Sequence, residues 1–292
     1  AYLTFKTVRA VARPLGLTGL LRRVAGPGAA KILAGASADS QGRYRVNGHL
    51  MYLAAEKRFP PMDMTIGRFE PQTTKLVESL VKPDMVVLDI GAHVGYFTII
   101  AARNAGLNGR VYAFEPEPVN YSLLIKNVEL NGYSNVSAKP NAVSGSVGSI
   151  DLHVSALDSG RNSLYRHGTP EQGSVQVETT TLDAFFEAKA WPKIDLIKMD
   201  VEGAEQDVLN GMVQLLEKTE NLKIIMEFNP ALLQTAGVDP LQFLTEPAKS
   251  GFKIYAIDET SGLIPIEEAG ISAMVDRMSR TQSSINLLCT KE

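Results

Sequence analysis

The feature of this sequence that most constrains the fold is a set of short apolar runs, each with an acidic residue at or near its end. The runs are VVLDIG at 86–91, RVYAFE at 110–115, IDLIKMD at 194–200 and LKIIMEF at 222–228. Apolar runs of this kind are typical of strands covered on both faces of a parallel sheet. Segments with helical spacing separate them, so the sequence predicts an α/β fold with an open, mostly parallel, doubly wound sheet.

The predicted elements follow the same alternation along the chain. Pro71 suits a first helical position and Pro83 ends that helix. The other predicted helices are Tyr96–Asn104, Val119–Leu130, Leu182–Lys189 and Ala204–Leu216. Further strands are predicted at 136–143, Ile150–Val154 and Val175–Thr180. GFKIYAID and SSINLLCT, separated by a long turn-rich connection, are expected to finish the sheet in an antiparallel sense.

Charge, cysteine content and hydropathy exclude several classes of protein. The net charge of −3 provides no field that would attract nucleic acid, so no nucleic-acid partner is expected. Cys289 is the one cysteine, which excludes an internal disulfide, suits a reducing compartment and is interpreted as a buried strand residue. No apolar run reaches the roughly 18 residues that a membrane span needs. We therefore predict a cytoplasmic protein.

The first 38 residues form a distinct basic segment. They contain no Asp or Glu but carry positive charge at Lys6, Arg9, Arg13, Arg22, Arg23 and Lys31. Phe5, Val8, Ala12 and Leu15 have helical spacing. Three hypotheses remain open: a helix packed on the body, a peripheral membrane contact, or a contact with substrate or another subunit. We predict an N-terminal extension over residues 1–65 and a catalytic domain over 66–292.

The loop after the first apolar run contains two glycines in the spacing G-x-x-x-G. His93 stands where the dinucleotide fingerprint requires its second glycine, and no Gly-Lys-Ser or Gly-Lys-Thr completes a phosphate-binding loop. Gly91 and Gly95 instead permit tight passage of the backbone, and Asp89 can receive a cationic group. S-adenosylmethionine fits this loop, because it carries an ammonium and a sulfonium but no phosphate. Glu115 lies where an acid can accept hydrogen bonds from ribose hydroxyls, although NAD-binding folds use the same device.

The motifs together resemble one family. VLDIGAHVGYFT, FEPEP, NAVS, TLDAFF, IKMDVEGAE and INLL occur in the order and spacing of the FkbM family of S-adenosylmethionine-dependent methyltransferases, over about Glu70 to Thr290. The resemblance implies a Rossmann-like domain with a class I methyltransferase fold. It also implies methyl transfer to an oxygen of a sugar, polyketide or similar metabolite, so the expected partner is a small-molecule or glycan acceptor. The oligomeric state is left open.

The resemblance implies positions for the cofactor-binding residues. It places Asp89, Gly91, Ala92 and Gly95 along the methionine end, Glu115 at the ribose, and Asn141 and Ala142 near the adenine. His93 departs from the asparagine expected at its position, which leaves its contact with the cofactor open. Glu70 either caps the helix that follows it or reaches the methionine group.

Strand-end acids are the candidates for catalysis, because an aliphatic hydroxyl barely ionises at neutral pH and its proton must be taken. Asp200 is the first candidate for a base or acceptor-orienting residue, and Glu227 is the second. Asp200 and Glu202 could instead only stabilise a helix N-terminus. A divalent metal held by Asp200, Glu227 and Asn229 is a less favoured hypothesis. Methyl transfer to nitrogen or carbon, a non-catalytic binding module and an NAD-dependent oxidoreductase are the competing functions, the last disfavoured by the loop spacing.

Overall fold

The computed structural model describes residues 38–53 and 61–291, which form two compact units. In the described part of the chain, residues 38–51 and 61–69 belong to the first unit and residues 52–53 and 70–291 to the second. The predicted basic helix near the N-terminus lies outside the described residues. The division of the chain between residues 65 and 66 remains a prediction.

In its described residues, the smaller unit contains a β-hairpin and one short helix. Strands β1 (Tyr44–Val46) and β2 (His49–Met51) pair antiparallel, with Val46 opposite His49. The two connecting residues, Asn47 and Gly48, both have positive φ angles, of 46° and 86°. Asn-Gly is the preferred pair for such a two-residue turn, because asparagine and glycine tolerate the left-handed conformation. Helix α1 covers Pro61–Thr65.

The larger unit alternates strands and helices along the chain. Its strands are β3 (Val86–Ile90), β4 (Arg110–Phe114), β5 (Val136–Lys139), β6 (Ala142–Val143), β7 (Gly148–Ser155), β8 (Glu171–Thr180), β9 (Leu196–Met199), β10 (Lys223–Phe228), β11 (Lys253–Asp258), β12 (Gly262–Ile266) and β13 (Ile285–Thr290). Its helices are α2 (Pro71–Leu80), α3 (Tyr96–Ala105), α4 (Pro118–Leu130), α5 (Leu182–Glu187), α6 (Glu205–Asn210), α7 (Val213–Lys218), α8 (Pro230–Thr235), α9 (Pro240–Lys249) and α10 (Glu268–Thr281).

Eight strands form the central sheet, in the order β12-β11-β13-β10-β9-β3-β4-β5. The five strands from β10 to β5 are parallel, whereas β11, β12 and β13 complete the sheet antiparallel. The chain winds outward from β3 to β5 and then returns to β9 on the other side of β3. Because ligands bind beyond the strand ends at such a reversal, the site is expected where β3 and β9 end. The predicted fold class and antiparallel C-terminal strands are confirmed.

A second sheet of three strands, in the order β6-β8-β7, is inserted between β5 and β9. The single strand predicted at 136–143 is therefore wrong: β5 ends at Lys139, and β6 pairs with β8 in the second sheet. Pro140 stands at the break. Proline has no backbone N–H to donate to a neighbouring strand, so it suits the position at which the chain leaves the first sheet and enters the second.

The helix predicted at Ala204–Leu216 is divided into α6 and α7. Gly211 lies at the division, where a Cβ atom would stand 2.1 Å from the carbonyl oxygen of Ser144. Only glycine permits this close approach of two backbones. The apolar spacing continues through the break, which is why the sequence pattern did not reveal it.

The turn-rich connection predicted before the last strand also contains regular structure, namely β12 and the fourteen-residue helix α10. Ile271, Met274, Val275 and Met278 are buried and recur at the spacing of one helical face. This apolar stripe was visible in the sequence and could have indicated α10, but the prediction missed it. Cys289 is buried in β13 as predicted, and burial raises the pKa of its thiol to about 12.

Within the described part of the chain, none of the helices has the length and apolar character that crossing a bilayer requires.

Candidate active site

The loops that follow β3 and β9 cross at the point where the strand order reverses. Gly91 has a φ of 77°, and a Cβ atom there would lie 1.8 Å from the carbonyl oxygen of Asp200. The Asp200 N–H donates to the Ile90 carbonyl at 3.0 Å. Gly91 and Ala92 both donate their N–H groups to the Phe114 carbonyl, each at 3.0 Å. The ends of β3, β4 and β9 are therefore joined by backbone contacts that only a glycine at position 91 allows.

The glycine loop then leads into α3. Gly95 precedes the first turn of this helix with a φ of 90°, and His93 also has a positive φ, of 51°. The His93 N–H donates to Oε2 of Glu115 at 2.8 Å. Two of the predicted cofactor residues, His93 and Glu115, are thus joined by a direct hydrogen bond. The loop presents its backbone at the carboxyl ends of the strands, as the sequence predicts.

Glu115 is a buried carboxyl group held in a defined orientation at the end of β4. Its Oε1 accepts a hydrogen bond from the Glu117 N–H at 2.9 Å, and its Oε2 accepts the bond from His93. Burial raises the pKa of this carboxyl to about 7, although both backbone hydrogen bonds oppose the shift. Each carboxylate oxygen has a second lone pair, so the group can accept further hydrogen bonds from hydroxyls.

Asp89 provides an unpaired acceptor at the end of β3. The carboxyl is buried, and the Thr98 hydroxyl donates to Oδ2. Oδ1 is fully enclosed and has no hydrogen-bond partner among the described residues. Burial raises the pKa of Asp89, and the positive charge of Lys198 opposes that shift. Because an unpaired buried oxygen is costly, Oδ1 suits a ligand that brings a donor or a positive charge.

The His93 side chain is neutral. Burial lowers its pKa to about 4, even though the nearby Asp158 acts in the opposite sense. His93 Nε2 lies 2.8 Å from the Ser159 hydroxyl oxygen, and the Asn120 amide donates to the Ser159 carbonyl at 3.1 Å. The short 3₁₀ turn at Ser159–Arg161 is thus held against the cofactor loop. The imidazole can contribute hydrogen bonds to the site but no charge at neutral pH.

Ala142 begins β6, opposite Thr179 of β8, and Asn141 lies between β5 and β6. Ala142 is buried in a small apolar cluster of the second sheet that includes Leu152, Leu164 and Val177. Asn141 precedes it and is half-buried. With the Ala142 methyl group packed in that cluster, a ligand contact from this residue would have to come from its backbone. The role of both residues near an adenine remains a prediction.

Glu70 does not cap α2, so that alternative is wrong. It stands at the N-cap position in the left-handed conformation, and its side chain makes no capping hydrogen bond. The side-chain amide of Asn286 instead donates to Glu70 Oε2 at 2.8 Å. Burial raises the pKa of Glu70 to about 7, against the effect of Lys198. Asn286 lies opposite Glu227 in the pairing of β10 with β13. Glu70 therefore belongs to the acidic end of the site.

Three carboxyl groups converge at the carboxyl ends of β9 and β10. Asp200, Glu202 and Glu227 each place one oxygen within 4.8 Å of the others. The helix that follows begins only at Glu205, with Ala204 as N-cap, so the hypothesis that Asp200 and Glu202 open a helix is wrong. Asn229, predicted as a metal ligand with Asp200 and Glu227, instead accepts a hydrogen bond from the Leu232 N–H and caps α8. The sequence pattern did not single out Glu202 as the third acid.

Glu202 occupies a backbone conformation that non-glycine residues seldom adopt, with a φ of 50°. Its carbonyl oxygen accepts a hydrogen bond from the Ser163 hydroxyl at 2.7 Å and lies 2.9 Å from His167 Nε2. His167 therefore helps to hold the Glu202 loop. Burial raises the pKa of Glu202 well above the usual range, and Glu227 and Asp200 raise it further.

One buried lysine balances part of this negative charge. Lys198 is 5% exposed, and its ammonium lies 2.8 Å from Asp200 Oδ2. Burial lowers the pKa of Lys198, but the charges of Asp200, Asp89 and Glu70 outweigh that effect and the net shift is upward. The lysine connects the cofactor loop with the acidic cluster.

A cavity of about 380 Å³ opens beside the cluster. Its lining includes five carboxyl groups, from Glu70, Asp200, Glu227, Asp258 and Glu259. None of the described residues that line it is lysine, arginine or histidine. Sequence reasoning missed Asp258 and Glu259, although Asp258 ends the apolar run KIYAID in the same way as the other strand-end acids.

A switch-point glycine loop and strand-end acids on this strand order fit the class I, Rossmann-like methyltransferase fold. The sequence model of the family described as methyltransferase FkbM domain matches residues 89–254, which is more than half of the chain. The chain belongs to the FkbM methyltransferase family. This membership confirms the predicted fold class and the predicted cofactor, S-adenosylmethionine.

Curated relatives are moderately similar in sequence. The chain is 29% identical over 173 residues to hexuronic acid methyltransferase AglP from Haloferax volcanii, covering 59% of this chain and 65% of that protein. It is 30% identical over 199 residues to 2-O-methyltransferase NoeI from Sinorhizobium fredii, covering 61% and 78%. The chain spans 59–65% of the length of AglP and two further methyltransferase relatives. A solved SAM-dependent O-methyltransferase from Thermotoga maritima aligns with a TM-score of 0.40 at 15% identity, covering 76% of this chain and 65% of that one.

Proposed function

We propose that this protein transfers a methyl group from S-adenosylmethionine to a hydroxyl oxygen of a sugar or a similar polyhydroxylated acceptor. The observation that carries the proposal is the cluster of Asp200, Glu202 and Glu227, which lies at the same sheet edge as the glycine loop. The relatives named as hexuronic acid and 2-O-methyltransferases support a sugar-type acceptor for this chain.

The cofactor end of the proposed site uses the residues around β3 and β4. Asp89 Oδ1 is the enclosed acceptor that suits a cationic group, and the backbone of the 91–95 loop passes beside it. Glu115 receives the ribose hydroxyls with the oxygens that already bind His93 and Glu117. Asn141 and Ala142 remain the candidates for the adenine end. Glu70 belongs with the acceptor cavity rather than with the glycine loop, because it lines that cavity.

The acceptor end of the proposed site uses the strand-end acids. When bound, S-adenosylmethionine supplies a methyl group on a sulfonium and leaves as neutral S-adenosylhomocysteine. Asp200 and Glu227 hold the acceptor hydroxyl, whose oxygen bonds to the methyl carbon while its proton passes to a carboxylate of the cluster. Burial, followed by the charge of Asp200, raises the pKa of Glu227 to about 8. This carboxyl is therefore mostly protonated at neutral pH, and it accepts the hydroxyl proton only in its ionised fraction, which grows as the pH approaches 8.

The cofactor assignment predicts a large effect of Glu115→Gln on the binding of S-adenosylhomocysteine. Glutamine has the same shape but only one oxygen, and its amide group cannot accept the second of the two backbone hydrogen bonds. Losing the charge-assisted bonds to ribose should raise the Kd by about 10- to 100-fold. Calorimetric titration of the wild type and the variant measures this change.

Glu205→Gln is the matched control for this titration. Glu205 is also buried, and burial likewise raises its pKa to about 7, but it lies on α6 rather than at the end of β4. We expect its affinity for S-adenosylhomocysteine to stay within about twofold of the wild type. Binding of NAD in place of S-adenosylhomocysteine would contradict the cofactor assignment.

The reaction itself is tested by incubating the full chain with S-adenosylmethionine and a panel of uronic acids, neutral sugars and amino sugars. Mass spectrometry of the products then locates the added methyl group. A methyl ether supports the proposal, whereas a methylated nitrogen or carbon would overturn the choice of oxygen as acceptor.

Three predictions concern properties beyond this site. They are the membrane contact of the basic N-terminal segment, the cytoplasmic location and the boundary between residues 65 and 66. Fusing residues 1–65 to a fluorescent protein and measuring its sedimentation with anionic vesicles tests the first of them. Failure to sediment would favour a role of the segment in packing or substrate binding.

A further inference from the structure

We infer that Asp200, Glu202 and Glu227 bind a divalent cation of the Mg²⁺ or Mn²⁺ type, which in turn binds oxygen atoms of the acceptor. The ion site stands on the geometry of the three carboxyl groups, whereas its role in catalysis rests on the proposed methyl transfer.

The three ligand atoms have a spacing suited to a single small cation. One oxygen from each residue lies within 4.8 Å of the other two. Carboxylate oxygens are the ligands that Mg²⁺ and Mn²⁺ prefer, and such ions commonly retain water or substrate oxygens in the remaining positions. A site of three carboxylates therefore leaves room for the acceptor.

A second observation independently points to a ligand. Oε2 of Glu227 is fully enclosed, yet no described residue offers it a hydrogen bond. This oxygen belongs to the carboxyl group that completes the cluster. An enclosed, unpartnered carboxylate oxygen is expensive unless a donor or a cation reaches it. A divalent ion between the three residues would supply that missing interaction.

The charge balance of the cluster agrees with a divalent ion. Lys198 is the one cation bonded to it among the described residues, through Asp200 Oδ2 at 2.8 Å. With an ion bound, all three ligands would be carboxylates, and three carboxylates against one ammonium leave two negative charges, which a single divalent cation neutralises. The ion pair does not prevent coordination, because Asp200 still has its Oδ1 atom.

The backbone conformation of Glu202 places its carboxyl group in the proposed ion site. Its left-handed backbone turns the chain just after Asp200, and contacts with Ser163 and His167 hold its carbonyl oxygen. The same turn brings the Glu202 carboxyl group to Asp200 and Glu227, although it lies only two residues beyond Asp200. Strained residues of this kind persist where the surrounding structure holds them, and they are frequent in functional sites.

The ion would offset the repulsion between an anionic sugar and the carboxyl groups that line the acceptor cavity. Five carboxyl groups line the cavity, and the described lining residues include no basic group. A uronic acid would be repelled by this lining, whereas a cation held at its edge could bind the carboxylate or a pair of hydroxyls. If each protein ligand uses one oxygen, the second oxygens of Glu202 and Glu227 remain to receive the hydroxyl proton.

The test measures metal binding directly, without relying on activity. The full chain is treated with a chelator, dialysed and titrated with MnCl₂, with free Mn²⁺ followed by electron paramagnetic resonance, and then with MgCl₂ in a calorimeter. We expect one Mn²⁺ ion per chain, and a Kd raised at least about tenfold in E202Q and in E227Q. E259Q is the matched control, since Glu259 lines the same cavity outside the cluster and its Oε2 accepts a hydrogen bond from the Gln72 N–H.

The outcomes separate the ion site from the proposed methyl transfer. Failure of the wild type to bind either ion would overturn the site, and so would equal weakening in E202Q, E227Q and E259Q, which would indicate a general effect of charge. S-adenosylhomocysteine titrated into the same samples reports on the cofactor site separately. Thermal melting shows whether each variant is folded. If E202Q is unfolded, E227Q alone is compared with the wild type and with E259Q.

Discussion

Gly91→Ala is expected to destabilise the protein by more than about 4 kcal/mol and to abolish binding of S-adenosylhomocysteine. The added Cβ would lie 1.8 Å from the Asp200 carbonyl oxygen and 2.9 Å from its carbonyl carbon. Backbone atoms cannot rotate away as a side chain could, so the loops after β3 and β9 would have to separate. Separation would also strain the hydrogen bond from the Asp200 N–H to the Ile90 carbonyl.

Gly132→Ala distinguishes this clash from the general cost of a left-handed alanine. Gly132 has a φ of 71°, close to the 77° of Gly91, but a Cβ there would meet nothing within 4 Å. We expect a loss of only about 1 kcal/mol for Gly132→Ala, with cofactor binding unchanged. Chemical denaturation of the two variants measures the difference. Equal losses would show that backbone conformation, and not contact with Asp200, decides the identity of residue 91.

Lys198→Met is expected to cost about 3–5 kcal/mol of stability at pH 8. The substitution keeps a long apolar stem but removes an ammonium that pairs with Asp200 at 2.8 Å and offsets the charges of Asp89 and Glu70. Breaking a buried ion pair from one side is costly because the remaining charges stay out of water. Lys193→Met provides the matched control: its ammonium lies 2.7 Å from Asp195, but its side chain is 71% exposed, so the expected loss is below about 1 kcal/mol.

The cost of Lys198→Met should depend on pH. Burial already raises the pKa of Glu70 to about 7 and raises that of Asp89, with Lys198 opposing both shifts. A raised pKa in the folded state means that the unfolded chain loses its protons first, so stability falls as pH rises from about 4.5 towards the folded pKa. Without the lysine these pKa values rise further, and the fall continues to higher pH. The variant should therefore lose more stability than the wild type between pH 6 and pH 8, which denaturation at several pH values will show; parallel profiles would contradict this.

Much of the fold was predictable because its signals are local. Apolar runs ending in acids identified β3, β4, β9 and β10, and Pro71 identified the start of α2. The sequence missed α10 although its buried stripe had helical spacing, because polar and small residues around it resembled a turn-rich connection. The division at Gly211 had no local signal. It depends on contact with Ser144, which is 67 residues away along the chain.

In the candidate site, too, local signals were predictable and contacts between distant parts of the chain were not. The glycine loop and Glu115 could be assigned to a cofactor because their spacing along the chain reflects a strand, a loop and a helix. The third carboxyl group of the cluster was not predictable, since the left-handed turn at Glu202 depends on Ser163 and His167 in a distant loop. Asn229 looked equivalent by position, yet its side chain caps α8.

The sequence by itself determined the alternation of strands and helices, the family and the cofactor, because these follow from short motifs and from patterns of apolar and polar residues. Only the tertiary structure decided which acids meet. Glu70 and Asn286 are 216 residues apart and are joined at 2.8 Å, and Asp200, Glu202 and Glu227 converge from two different strand ends. Such contacts depend on how the strands are ordered and how the loops turn in three dimensions, and no local pattern of residues encodes them.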